Sequence, residues 1–181
     1  MDKRGRRVPI WKMKFWRLQA IISELNLGKD DVFIDIGGYH GEATRWVRKM
    51  YDSFCVIYEP NPEWFKMCLE EFKYDWKVKV FPYALGKGNR VAFLSQQDDG
   101  SNIYSLEGIQ IQVKDANEVL KFKPTVIKMN IEGAEYEVLE TLKELAPKML
   151  IQFHKGTVEL PTNYKRVWDK PRKTWELWQR F

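Results

Sequence analysis

The stretch Asp31-Val-Phe-Ile-Asp-Ile-Gly-Gly-Tyr-His-Gly-Glu-Ala-Thr44 decides the fold. Its first six residues form a short apolar run rich in β-forming side chains, and three glycines follow within the next five positions. Helix-compatible residues then continue over Glu42–Tyr51. The stretch therefore predicts a strand, a tight turn and a helix whose free N–H groups face whatever binds the turn.

The alternation of strand and helix continues along the chain. Phe54–Tyr58 predicts a second strand, and Asn61-Pro62-Glu63 provides a helix start with a capping residue, a proline in the first turn and an acid suited to the helix dipole. Strands are also expected over residues 125–130 and 149–153, on either side of a helix over residues 134–145. This pattern predicts an α/β fold with a mostly parallel sheet, helices on both faces and ligands at the carboxyl ends of the strands.

The middle of the chain predicts a hairpin and a loop. Residues 78–85 predict a third strand and residues 90–95 another extended piece, with the turn-like Gly86-Lys87-Gly88-Asn89 between them. The polar, turn-rich residues 96–102 follow, so we expect a loop there that forms a lid or a substrate edge.

An amphipathic helix is expected before the first strand, because Trp11, Phe15, Leu18, Ile22 and Leu25 recur at steps of four and three and share one stripe. The stripe has two interpretations. It packs on the flank of the sheet with its charges in solvent, or its cations recognise a partner that carries phosphate groups.

Length and composition predict a single domain. The 181 residues are 44% hydrophobic, which is enough for one sizeable core. No apolar run approaches the roughly 20 residues that span a bilayer, and no uninterrupted apolar segment of a secretory signal is present. We therefore expect a cytoplasmic protein, with Cys55 and Cys68 as reduced core thiols.

Both ends of the chain are basic, whereas the middle is acidic. Residues 1–17 contain seven Lys or Arg against Asp2, and residues 165–181 contain six against Asp169 and Glu176. The same ends hold five of the eight tryptophans. Cations mixed with stacking side chains indicate an anionic partner, including nucleic acid.

Asp35 determines which ligand the glycine-rich turn suits. The nicotinamide fingerprint requires a glycine at the position of Ile36, and a carboxylate beside the turn disfavours a pyrophosphate. S-adenosylmethionine (SAM) fits better, because its amino group and its sulfonium are positive. The alternative is that Asp35 only caps the turn through backbone amides.

Glu59 ends the second strand, where a carboxylate can accept both hydroxyls of an adenosine ribose. Its alternative interpretation is an ordinary exposed acid. The adenine is expected after the third strand. Together, the residues expected to bind the cofactor are Asp35, Gly37, Gly38, Tyr39, His40, Gly41, Thr44, Glu59, Pro60, Asn61, Tyr83 and Ala84.

Three motifs resemble those of FkbM-type methyltransferases in order and spacing: residues 35–44, Tyr58-Glu-Pro-Asn-Pro62 and Lys128-Met-Asn-Ile-Glu-Gly-Ala-Glu135. The resemblance covers residues 31–154 and implies a Rossmann-like class I methyltransferase fold, SAM as cofactor and O-methylation of sugar or natural-product hydroxyls. Members of the family usually carry an Asp where this chain has Asn130, so no metal is expected.

The single domain, residues 1–181, accordingly divides into three parts. They are a basic N-terminal helix (1–28), a SAM-binding core (31–154) and a basic, Trp-rich C-terminal segment (155–181). Only residues 164–181 are left to close the far edge of the sheet.

The candidate catalytic residues are His154, Glu132, Asn130 and Lys128. The last three alternate along one strand, and His154 follows the neighbouring strand, where it can approach Glu132 and Glu135. An alcohol acceptor needs a base, and a histidine positioned by a carboxylate suits that role. In the alternative, His154 is a turn residue and Glu135 a helix-start acid.

Three functions remain open at this point. The first is O-methylation of a sugar or other small hydroxyl, and the second is O-methylation of an RNA or phosphosugar. RNA 2′-O-methyltransferases commonly use a lysine, aspartate, lysine, glutamate set, of which only Lys128 and Glu132 have counterparts here. The third is a SAM- or nucleotide-binding module without catalysis. The oligomeric state stays open.

Overall fold

The computed structural model describes residues 18–95, 103, 106–154, 158–168 and 175–181. Their strands form one seven-stranded and one three-stranded sheet. The strands in chain order are β1 (Val32–Ile36), β2 (Phe54–Tyr58), β3 (Val78–Phe81), β4 (Ala84–Gly86), β5 (Arg90–Leu94), β6 (Ile109–Asp115), β7 (Val126–Met129), β8 (Lys148–Gln152), β9 (Tyr164–Trp168) and β10 (Trp175–Arg180). Besides the helical residues 18–22, the helices are α1 (Glu42–Tyr51), α2 (Pro62–Phe72) and α3 (Glu135–Thr141), with a 3₁₀ helix over Ala116–Phe122.

The large sheet has the strand order β3-β2-β1-β7-β8-β10-β9. The neighbours from β3 to β8 are parallel, and β10 runs antiparallel to both β8 and β9. The predicted mostly parallel sheet is thus confirmed. Residues 164–181 supply β9 and β10, which form its far edge as expected.

Helices cover both faces of this sheet. On one face, Val47 of α1 packs with Phe33 and Leu150. On the other, Val138 of α3 and Val119 of the 3₁₀ helix pack in a second cluster around the central strands. Because both faces are covered, the central strands consist mostly of consecutive apolar residues rather than of alternating apolar and polar residues.

The described end of the predicted N-terminal helix packs against the sheet. Residues 18–22 are helical, and Ile21, Ile22 and Leu25 are fully buried in the cluster that contains Phe33 and Leu177. The described part of the apolar stripe therefore packs on the flank of the sheet, as the first of its two interpretations expects. Trp11 and Phe15 lie outside the described residues.

The predicted hairpin is wrong. The predicted strand over residues 78–85 divides at Pro82 into β3, in the large sheet, and β4, in the small one. Proline ends the pairing because it has no N–H to donate. β4 and β5 are not paired with each other; both flank β6, with β4 parallel to it and β5 antiparallel. The expected loop over residues 96–102 lies outside the described residues.

Cys55 and Cys68 are buried free thiols, as expected. Within the described ranges, the helices are all too short or too polar to cross a bilayer.

Candidate active site at the carboxyl end of the sheet

Four neighbouring strands bring the predicted site residues to one edge of the sheet. The strands lie in the order β2-β1-β7-β8, and Glu59, the glycine-rich turn, Asn130 and His154 follow their carboxyl ends. Parallel strands end at the same edge, so residues separated by about a hundred positions in the chain become neighbours in space.

The glycine-rich turn packs directly on its neighbours. Gly37 adopts φ 79°, which favours glycine, and a Cβ there would lie 2.2 Å from the backbone oxygen of Asn130. A Cβ on Gly38 would lie 2.3 Å from Cγ2 of Ile57. Both glycines donate from N–H to the Tyr58 carbonyl, at 2.9 and 3.3 Å. The turn therefore depends on glycine at both positions for close approach to β2 and to the end of β7.

Asp35 is fully buried, and the protein itself supplies its cation. Its Oδ1 accepts from Nζ of Lys128 at 2.7 Å, and its Oδ2 accepts from Oγ1 of Thr44 at 2.9 Å. Nζ of Lys128 also donates to the Gly37 carbonyl at 2.7 Å. Asp35 therefore forms an internal ion pair with Lys128, and its contact with a cationic ligand stays a prediction. Lys128, expected among the catalytic residues, holds the turn.

Glu59 is a buried carboxylate, only 3% exposed. Its Oε2 accepts from N–H of Tyr39 at 2.7 Å and its Oε1 from N–H of Asn61 at 2.8 Å. Burial raises the pKa of Glu59 to about 7, although the two N–H donors and Lys128 act in the opposite direction. Each oxygen keeps a lone pair for a further donor, which fits a pair of ribose hydroxyls.

Asn61 also fixes the start of α2, following Pro60. Its Oδ1 accepts from N–H of Glu63 at 2.9 Å, so it is the N-cap that the sequence predicted. The cap sets the position of the Asn61 N–H that holds Glu59.

Aromatic rings flank the turn. The rings of Tyr39 and His40 stack with centroids 3.7 Å apart, and Trp64 of α2 meets Tyr39 edge-on at 4.5 Å. Tyr39 has φ 51°, an unusual backbone for a residue other than glycine. Trp64 was not among the predicted site residues, and only its position in the first turn of α2 pointed to it.

A second aromatic group lies at the expected adenine segment. Tyr83 packs against Tyr58 at 5.5 Å and Phe81 at 5.6 Å, while Ala84 is buried in β4. The Tyr58 hydroxyl is buried without a hydrogen-bond partner among the described residues.

Asn130 presents an unpartnered acceptor. Its backbone N–H donates to the Ile36 carbonyl at 3.1 Å, but its Oδ1 is buried and has no donor among the described residues. Such an oxygen is costly unless a ligand completes it. It suits an N–H or O–H donor, and so the residues of this edge fit a ligand with an ammonium group and ribose hydroxyls.

His154 lies between two glutamates, as predicted. Its Nδ1 is 2.8 Å from Oε1 of Glu135, and its Nε2 is 3.1 Å from Oε1 of Glu132. Glu135 is held in turn, because its carboxylate accepts from N–H of Ile131 and of Gly133, both at 3.0 Å. Glu135 therefore both closes the turn before α3 and orients the imidazole.

Two carboxylates favour the charged form of His154. Burial lowers the pKa of His154, but the hydrogen bonds to Glu132 and Glu135 outweigh it and raise the pKa to about 9. At neutral pH the ring is therefore an imidazolium, which cannot accept a proton. A role as base requires the ring to lose its proton first.

Gln152 is a neighbour that the sequence did not suggest as a site residue. Its Nε2 lies 3.3 Å from Nε2 of His154. The two residues are two positions apart on and just after β8, so strand alternation alone would have placed them on one side. Among the described residues, no three His, Cys, Asp or Glu side chains are grouped so that they could hold a metal ion.

Comparison with solved structures supports the fold. The Escherichia coli protein yhhF superposes with a TM-score of 0.58 at 12% identity, covering 91% of this chain and 85% of that one. M. capricolum TrmK, solved with S-adenosyl-homocysteine, gives 0.55 at 10% identity, covering 91% and 67%. A conserved Streptococcus pyogenes protein gives 0.56 at 10% identity, covering 90% and 94%. At these identities the likeness shows the fold alone, a class I methyltransferase fold, as predicted.

Sequence comparison identifies the family. No curated protein matches the chain significantly. The model of the methyltransferase FkbM domain matches residues 35–170, which include the glycine-rich turn, Glu59, Asn130 and His154. The chain therefore belongs to the FkbM methyltransferase family, and its cofactor is the methyl donor SAM.

Proposed function

We propose that the protein methylates a hydroxyl of a sugar or other small metabolite. The observation that carries the proposal is the buried Glu135, which holds Nδ1 of His154 at 2.8 Å and so leaves Nε2 as the ring nitrogen that can exchange partners. Oxygen acceptors need such a base because a neutral hydroxyl is a poor nucleophile.

The cofactor would be held by three groups at the carboxyl edge of the sheet. Glu59 accepts from the ribose hydroxyls, the backbone of the turn at Gly37 and Gly38 lies against the ligand, and Oδ1 of Asn130 accepts from the ammonium group. When bound, SAM supplies a methyl group on a sulfonium, which needs no further activation.

The proton of the acceptor would go to His154. In the neutral ring, N–H at Nδ1 donates to Glu135, and the lone pair lies on Nε2. Because the pKa of His154 is about 9, we expect turnover to rise with pH through neutrality. The carboxylate of Glu135 then stabilises the imidazolium that forms.

A second candidate is methylation of an RNA or phosphosugar hydroxyl. It is favoured by the exposed cations of the antiparallel strands β9 and β10, namely Lys165, Arg166 and Arg180. Binding of an RNA or phosphosugar acceptor should weaken as the salt concentration rises, whereas binding of a neutral sugar should not. A cytoplasmic location, inferred from composition, remains part of the proposal.

The test is a methyl-transfer assay with labelled SAM against separate pools of glycosides, phosphosugars and RNA. We expect methyl ether in one pool, and a loss of about 10²–10⁴-fold in turnover for His154→Ala with SAM affinity retained. Lys66→Ala, on the exposed side of α2, is the matched control.

Each alternative gives a different result. SAM binding without product in any pool would show a binding module and reject catalysis. Failure to bind SAM in calorimetry would reject the cofactor site itself. Full turnover by His154→Ala would reject the base assignment.

A further inference from the structure

On the basis of the hydroxyl methylation proposed above, we propose that the Glu132 carboxylate is a displaceable cap on Nε2 of His154, standing where the acceptor hydroxyl must be in order to give up its proton. Glu132 would then act as a positioning residue that yields to the acceptor, whereas Glu135 stays in place.

The two glutamates around His154 are held very differently. The Glu135 side chain is 0% exposed and accepts two backbone N–H groups besides the imidazole. The Glu132 side chain is 24% exposed, and within the described parts of the chain its carboxylate has no other hydrogen-bond or ion-pair partner than His154. Displacing Glu135 would leave a buried carboxylate and two N–H groups unpaired, but displacing Glu132 only returns it to solvent.

The backbone at Glu132 also indicates a functional position. Glu132 has φ 53° and Gly133 φ 101°, so a side chain stands where glycine would be less strained. A left-handed backbone is strained for a residue other than glycine, because its Cβ approaches the following carbonyl oxygen. Strain of this kind concentrates at functional sites, where the side chain it presents is needed.

The contacts of Nε2 require opposite protonation states. The ion pair with Glu132, at 3.1 Å, needs N–H at Nε2. The contact with the Gln152 amide nitrogen, at 3.3 Å, needs the lone pair, since that amide group can only donate. The capped ring is thus the imidazolium. The uncapped ring is neutral, with N–H at Nδ1 held by Glu135 and a lone pair at Nε2 that either the Gln152 amide or an acceptor hydroxyl can occupy.

The proton balance follows from this exchange. An acceptor hydroxyl replaces Glu132 at Nε2. As the O–CH₃ bond forms and the S–CH₃ bond breaks, the hydroxyl proton passes to Nε2, leaving a methyl ether, a neutral thioether and an imidazolium. Glu132 then closes on the imidazolium, and the ring must release its proton to solvent before the next turnover.

The first experiment needs neither cofactor nor acceptor. The chain has two histidines, His40 and His154, so ring carbon signals labelled with ¹³C can be followed by NMR against pH, with His40→Gln for assignment. We expect Glu132→Gln to lower the titration midpoint of His154 by at least one pH unit, because its partner loses its charge. Glu140→Gln, exposed on α3, is the matched control and should not move it.

The second experiment follows kcat/KM against pH. Glu132→Gln should move the rising limb of the kcat/KM profile to lower pH, by the same number of pH units as the NMR midpoint of His154. It should also raise kcat/KM severalfold at neutral pH. The proposal that Glu132 caps Nε2 would be wrong if Glu132→Gln left the NMR titration midpoint of His154 unchanged. It would also be wrong if the variant lost kcat/KM at every pH while the rising limb of the pH profile stayed in place. Absence of methyl transfer by the wild-type protein would instead reject the proposed function, since the NMR titration is independent of it.

Discussion

Nζ of Lys128 lies 2.7 Å from Oδ1 of Asp35, and the two residues face each other in the parallel register of β1 and β7. Their side chains are 5% and 0% exposed, so each charge is compensated by the other rather than by water. Because Lys128 also donates to the Gly37 carbonyl, the pair ties the glycine-rich turn to the sheet.

Removing one member of this pair should be costly. We expect Lys128→Met to lower the free energy of unfolding by about 3–5 kcal/mol, since it leaves the Asp35 carboxylate buried and unpaired. Chemical denaturation measures this loss. Lys66→Met, an exposed control, should stay within about 0.5 kcal/mol. The double variant Asp35→Asn with Lys128→Met should recover part of the loss, and equal losses in the single and double variants would contradict the pairing.

Glu59 should make cofactor binding depend on pH. Burial raises the pKa of Glu59 to about 7, and the ribose hydroxyls donate better to the charged carboxylate. We therefore expect SAM affinity to rise by up to about tenfold between pH 6 and pH 8, as Glu59 loses its proton. Calorimetric titration at several pH values measures this rise.

Glu59→Gln provides the control for that experiment. The neutral amide cannot ionise, so the pH dependence should disappear, and SAM binding should weaken by about 1.5–3 kcal/mol at pH 8. The same slope in both proteins would place the titrating group elsewhere.

Gly38 should not tolerate a side chain. In Gly38→Ala the new Cβ would lie 2.3 Å from Cγ2 of Ile57, so the turn or β2 must shift. We expect a loss of about 1–3 kcal/mol in stability together with weaker SAM binding. Gly28→Ala is the control, because its Cβ would meet Asp31 at an ordinary 3.5 Å. If Gly38→Ala costs as much stability in an Ile57→Ala background as in the wild-type protein, the clash is not the cause of the loss.

Folding stability should fall as the pH rises above neutrality. The pKa of His154 is raised from 6.5 to about 9 in the folded protein, so its contribution is complete below pH 6.5 and is lost as the pH passes through 9. Glu59, also with a raised pKa, acts with the same sign at lower pH. Thermal melts should therefore show Tm decreasing between pH 6.5 and 9, with a smaller decrease for His154→Asn. Parallel curves for the two proteins would argue against the ion pairs of His154.

The large sheet could be predicted because its strands carry local signals. The apolar runs at β1, β2, β7 and β8 and the capping residue Asn61 all specify their elements within a few positions. The small sheet was not predicted. β6 was not among the predicted strands, although Ile109, Ile111 and Val113 alternate along it, and only the structure shows that it separates β4 from β5.

The meeting of the candidate site residues at one edge of the sheet could be predicted, but not all of their pairings. That His154 would meet Glu132 and Glu135 followed from strands that end side by side. The partner of Asp35 did not follow, because it depends on the register between β1 and β7, which no local pattern encodes. The protonated state of His154 likewise depends on how completely two carboxylates enclose the ring.

The ion pair that anchors the glycine-rich turn joins residues that are 93 positions apart. Pairing of β1 with β7 must close that loop, and contacts of such sequence separation form slowly during folding. A fragment that stops before β7 would contain the entire glycine-rich motif without the lysine that fixes it. The SAM binding proposed at this turn should therefore be acquired only when the sheet is assembled, so it can serve as a direct assay for completed folding.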